Sequence, residues 1–147
     1  MKTQHRAEKS RTSLMCMSPP YFKSEYDLET GQCRGTFEGV AWGNAVTPVG
    51  KAVVSSSDNT QRFWNLETGE CIAALDEVDD ENWDVTVSHD GRTLVSSYSG
   101  NGLAAWDFDT RQLRRYCKGH SRSVRGVAIS LDDRIPASGS TENEVNV

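Results

Sequence analysis

Serine, histidine and aspartate are the residue types from which a nucleophilic hydrolase is built, and this chain offers Ser55, Ser96 and Ser138, His5, His89 and His120, and Asp58. That chemistry needs a hydroxyl, a base and an orienting carboxylate within hydrogen-bond reach in one site. The serines stand 41 and 42 residues apart, one to each copy of an internal repeat, so the three roles belong to different repeat units and no catalytic residue is expected. Zinc would need clustered Cys and His ligands. No cysteine pair has Cys-x-x-Cys spacing and the histidines are far apart in the repeat frame, so neither a metal nor a cofactor is expected. Gly100-Asn101-Gly102 reads as a turn, since no strand and helix flank it as a phosphate loop requires.

The elements that carry these residues are repeats. Leu28-Glu29-Thr30-Gly31-Gln32-Cys33 matches Leu66-Glu67-Thr68-Gly69-Glu70-Cys71 at a spacing of 38, and Phe108-Asp109-Thr110-Arg111 repeats it more loosely 42 residues further on. A period near 40 signals a stacked or radial array. Short apolar runs separated by Gly, Asn, Asp and Ser clusters predict an all-β meander, and no window has the i, i+3, i+4, i+7 pattern of a helix. One full unit is expected over Val40–Leu75, with strands near Gly43–Thr47, Lys51–Ser56, Gln61–Leu66 and Glu70–Leu75. A second follows over Glu81–Cys117, with strands near Trp83–Ser88, Arg92–Ser97, Leu103–Phe108 and Gln112–Cys117. Two strands before them, Tyr26–Leu28 and Gln32–Phe37, and two after, Ser123–Ser130 and Arg134–Ser138, make partial units. Pro136 should weaken the last, because proline cannot donate to a ladder. Residues 1–24, which carry no repeat and contain Pro19-Pro20, are expected to be disordered or poorly packed; residues 25–147 form the repeat domain.

These residues resemble the WD-repeat family of β-propellers. Trp106-Asp107 is the intact pair, Trp64-Asn65 and Tyr26-Asp27 are degenerate copies, and Gly119-His120 resembles the Gly-His pair that opens a repeat of about 40–45 residues. The resemblance implies an all-β partial propeller of four-stranded antiparallel blades, two full and two partial. It further implies a hydrogen-bonded chain within each blade, running from His through Ser or Thr and Asp to Trp. Ser55, Asp58 and Trp64 fit that chain in the first unit, with Val40 at the His position. Ser96 and Trp106 fit in the second, with Val78 at the His position and no clear Asp; His120 and Ser138 fit in the third. A propeller has about four to eight blades, so the chain is expected to be a piece of a larger one, or copies complete the ring by self-association through open blade edges.

A net charge of −5 argues against a dedicated nucleic-acid binder, and no apolar run approaches the roughly 18 residues of a membrane helix. Cys33 and Cys71 occupy the same position in successive units, a whole blade apart instead of within the roughly 7 Å that a disulfide spans. Free thiols point to a reducing compartment, and a cytoplasmic location is expected. Charge is segregated: Asp76, Glu77, Asp79, Asp80, Glu81 and Asp84 form an acidic stretch, and Arg111, Arg114, Arg115, Lys118, Arg122 and Arg125 a basic one. These runs read as a solvated loop and a solvated outer strand, or else as opposite patches that steer partners or neighbouring copies.

Trp42, Trp83 and Arg125 each stand five residues before the Thr or Ser that ends a first strand. Alternation alone would place Trp83 in the core with Val85 and Val87. Arg125 shares that register, however, and an unpaired arginine is almost never buried. Val124 and Val127, three apart, can both face the core only if a bulge turns the intervening residue outward. On that second reading the three side chains ring a face that binds other proteins or peptides. The expected function is a non-catalytic scaffold for protein–protein interaction. The alternatives are a regulatory propeller segment of a larger enzyme, such as a kinase or nucleotidase fusion, and a truncated gene product without independent activity.

Overall fold

A computed structural model describes residues 13–18, 22–27, 29–38, 41–57, 59–75, 80–141 and 145–147, with backbone alone for 13–18, 22–27 and 34–38. Every regular element among the described residues is a strand, and the strands form four antiparallel sheets in sequence order. The first sheet contains β1 (Ser13–Ser18), β2 (Phe22–Asp27) and β3 (Cys33–Glu38). The second contains β4 (Gly43–Val46), β5 (Ala52–Ser57), β6 (Thr60–Asn65) and β7 (Cys71–Leu75). The third contains β8 (Asn82–Val87), β9 (Thr93–Tyr98), β10 (Gly102–Asp107) and β11 (Leu113–Lys118). The last contains β12 (Val124–Ile129), β13 (Pro136–Ser140) and β14 (Val145–Asn146). The chain is thus a partial β-propeller, with β4–β7 and β8–β11 as its two four-stranded blades.

The local chemistry that makes each blade a meander is visible in its turns. Between first and second strands the chain turns through Thr47–Gly50, Ser88–Gly91 and Ser130–Asp133, and the last residue has a positive φ in each: 63°, 73° and 59°. The opening hydroxyl accepts the N–H of the returning strand, from Ala52 to Thr47, Thr93 to Ser88 and Ile135 to Ser130. Between third and fourth strands, the Asn65 side chain accepts N–H bonds from Glu67 and Thr68, and Asp107 accepts them from Asp109 and Thr110. Gly69 and Arg111 then adopt positive φ to close the turn. The residue after Trp64 and after Trp106 is therefore short and polar because its side chain holds the turn.

The core lies between sheets. Val54, Phe63 and Leu75 of one blade pack with Val85, Val87, Leu94, Tyr98, Ala104 and Trp106 of the next, and Val95 and Leu103 pack on Val124 beyond. The second strands β5 and β9 are buried continuously from Val53 to Ser57 and from Leu94 to Tyr98, instead of alternating, and β9 packs on the blades to either side.

Two expectations change. β2 pairs with β1 from Ser13↔Asp27 to Ser18↔Phe22; the first partial blade thus has three strands, where two were expected. Strand formation there follows from the antiparallel ladder with the next strand, β2, which local composition does not report. The last blade likewise gains β14, paired with β13 through Ser138↔Asn146 and Gly139↔Val145. Pro136 is the first residue of β13, opposite Ile129, a position where a strand tolerates proline. Val40, Asp58, Val78 and the acidic residues 76–79 lie outside the described residues.

Candidate partner-binding face

β4, β8 and β12 are the first strands of successive blades; β8 packs against both of the others. In β8, Asn82 pairs with Tyr98 and Asp84 with Ser97, which leaves Trp83 as the extra residue of a bulge. In β12, Val124 pairs with Ser140 and Gly126 with Gly139, leaving Arg125 in the same place. A bulge re-aims the inserted side chain. Asn82, Val85 and Val124 are accordingly buried, whereas Arg125 is exposed and Trp83 half-buried. Trp42, just before β4, is tied by its N–H to the Ser56 carbonyl at 2.8 Å and is 47% exposed. Of the two orientations open to the sequence, the structure takes the outward one.

The three side chains form a stack. The Trp42 and Trp83 ring centroids are 5.3 Å apart with planes tilted by 56°, and the Arg125 guanidinium carbon lies 3.4 Å from the Trp83 centroid. The Trp83 Nε1–H is buried and makes no hydrogen bond, so this indole is held by its faces.

Serines one place beyond those marked in the sequence brace the first strands, at the β8 bulge and at the start of β4. The Ser97 hydroxyl accepts the Asp84 N–H at 3.1 Å, and Ser56 accepts the Gly43 N–H at 3.1 Å. β12 has Gly139 at the equivalent position and lacks this brace. Asp84 couples two blades: its carboxylate accepts the Val127 N–H of β12 at 3.0 Å and the Val85 N–H at 2.9 Å. Burial raises its pKa above the usual carboxylate value, and the two N–H donors oppose that shift. A Cβ on Gly43 would come within 2.5 Å of both the Asp84 Cα and Oδ1. Only glycine permits this approach of β4 to β8, and the approach sets Trp42 against Trp83.

The inner serines meet tryptophans, as the family pattern implies. Trp64 Nε1 donates to Ser55 Oγ and Trp106 Nε1 to Ser96 Oγ, both at 2.9 Å. His120 Nε2 and Ser138 Oγ lie 2.9 Å apart, both buried. Sequence reasoning missed what completes the second blade: Ser96 Oγ donates to the Tyr98 hydroxyl at 2.9 Å, and Gln61 Nε2 reaches that hydroxyl from the first blade at 3.0 Å. Burial, partly offset by these bonds, raises the Tyr98 pKa. Recurrence beside Ser55 and Ser96 could have found Ser56 and Ser97; no repeat marks Gln61 or Tyr98.

No family model matches the chain. It is 34% identical over 92 residues to Anaphase-promoting complex subunit cdc20 of Dictyostelium discoideum, covering 59% of this chain and 18% of that protein. Over 115 residues it is 27% identical to Anaphase-promoting complex subunit cdh1 of the same organism, covering 72% and 14%. Over 81 residues it is 26% identical to Autophagy-related protein 16 of Arabidopsis thaliana, covering 55% and 16%. The chain spans less than a fifth of each of these relatives.

Proposed function

This chain is a run of degenerate WD repeats folded as propeller blades, and from that premise we propose that it is a non-catalytic scaffold that binds other proteins through the Trp42–Trp83–Arg125 face. The carrying observation is the stack itself, in which bulges direct two consecutive blades' Trp83 and Arg125 outward beside an exposed Trp42. Trp and Arg are the types that dominate interface hot spots. Relatives of this kind are interaction or regulatory proteins, and two are by name subunits of a complex. Exposed thiols at Cys71 and Cys117 support a reducing, cytoplasmic setting.

The test is Trp83→Ala in a pull-down from extract of the source cells, run beside a circular-dichroism melt. A hot-spot tryptophan costs about 2 kcal/mol or more of binding, so the captured proteins should be depleted while the melt stays intact. Loss of folding with no separable binding defect would make Trp83 a core residue and remove the proposal.

A further inference from the structure

The last blade departs from the two before it at its inner serine. Trp64 and Trp106 stand opposite Val53 and Leu94, two positions before Ser55 and Ser96, and each donates its Nε1–H to that serine's Oγ at 2.9 Å. The same place in β13 is Pro136, two positions before the buried Ser138. It borders a cavity of about 470 Å³, a volume in the range of small-molecule sites. Leu103, Cys117 and Val124 line it together with His120, Pro136 and Ser138. Cys117, paired with Leu103, corresponds to Leu75, paired with Gln61, and Leu75 packs in the cluster that encloses Trp106. The cavity thus lies in the last blade where the preceding blade holds an indole ring.

The polar end of the cavity fits the same group. Ser138 Oγ and His120 Nε2 are 2.9 Å apart, and both side chains are buried. A hydroxyl has one donor and two lone pairs, so Ser138 keeps a lone pair for a second donor whichever way its bond to His120 runs. Ser96 is used in that way, donating to Tyr98 while accepting from Trp106. All four tryptophans of the sequence are engaged elsewhere: Trp42 against Trp83, Trp64 on Ser55 and Trp106 on Ser96. We propose that this cavity binds a small bicyclic heteroaromatic molecule of the indole class, its ring N–H donated to Ser138 Oγ and its faces against Leu103 and Val124.

The test titrates the full chain with indole, with 1-methylindole and with a capped Gly-Ser peptide carrying one tryptophan, read by calorimetry. Indole should bind saturably, and 1-methylindole, which lacks the N–H, roughly tenfold more weakly. Ser138→Ala should weaken indole by a similar factor and leave 1-methylindole unchanged; the comparison of the two ligands on the parent chain stands even if that variant does not fold. Location is read on Cys117, an exposed thiol that lines the cavity: bound indole should slow its alkylation, while the exposed Cys33 and Cys71, outside the cavity, react as before. No binding of indole at millimolar concentration, equal binding of 1-methylindole to the parent, or an unprotected Cys117 would each overturn the assignment. Binding of the peptide without binding of indole overturns it as well, and makes a partner's tryptophan the occupant.

Discussion

Asp107 shows how much one side chain of the repeat signature does. Its carboxylate closes the β10–β11 turn by accepting the Asp109 and Thr110 N–H groups, and it pairs with Arg114. The Thr110 N–H first, then Arg114, lower its pKa from 3.8 to about 2. A depressed native pKa contributes stability that is present above the unfolded value of 3.8 and is lost as pH falls through about 2. Asn65 holds the equivalent turn with a neutral amide, so Asp107→Asn should keep the turn and remove only the charge-dependent part. In urea denaturation the parent should be more stable than the variant at pH 5, and the gap should narrow steadily as pH falls below 4. A gap that does not depend on pH would show that the ion pair contributes nothing.

At the level of the strand, the bulges that carry Trp83 and Arg125 differ in one atom group. Ser97 braces the first through the Asp84 N–H, and Gly139 leaves the second without a hydroxyl. Nothing lies within 4 Å of a Cβ built on Gly139, and its φ is not in the left-handed range. Gly139→Ser should therefore be accepted sterically and supply the missing bond to Gly126. A hydrogen bond of this kind adds about 1 kcal/mol, with a further gain from removing a strand glycine. The denaturation midpoint should rise; a fall would mean that the β12 bulge does not use the brace seen in β4 and β8.

Across the molecule, blades are joined by a few polar bonds, from buried to exposed, as well as by apolar packing. Gln61 of the first full blade meets Tyr98 of the second, Asp84 meets Val127, and the Asp133 carboxylate accepts the His89 and Asp90 N–H groups across to the last blade. In repeat arrays, stability is approximately a sum of unit and nearest-neighbour terms. A double-mutant cycle of Gln61→Leu and Tyr98→Phe should then show a coupling of about 0.5–3 kcal/mol, the range for residues in contact. Zero coupling would mean that the Gln61–Tyr98 bond adds nothing to the apolar packing between these two blades.

The sequence by itself determined the all-β class, the repeat of about 40 residues and the strand positions of the two full blades to within a residue or two. These were legible because they are written locally: a hairpin joins neighbours in the chain, a Gly or short polar residue marks each turn, and the spacing recurs. Tertiary structure alone decided the outward setting of Trp83, since alternation and a bulge predict opposite faces and only the pairing with β9 selects between them. It also decided the contacts between blades. Gln61 and Tyr98 are 37 residues apart, Asp84 and Val127 43, and His89 and Asp133 44. Such contacts arise from how sheets twist and stack, and no short-range pattern encodes which side chains then come within reach.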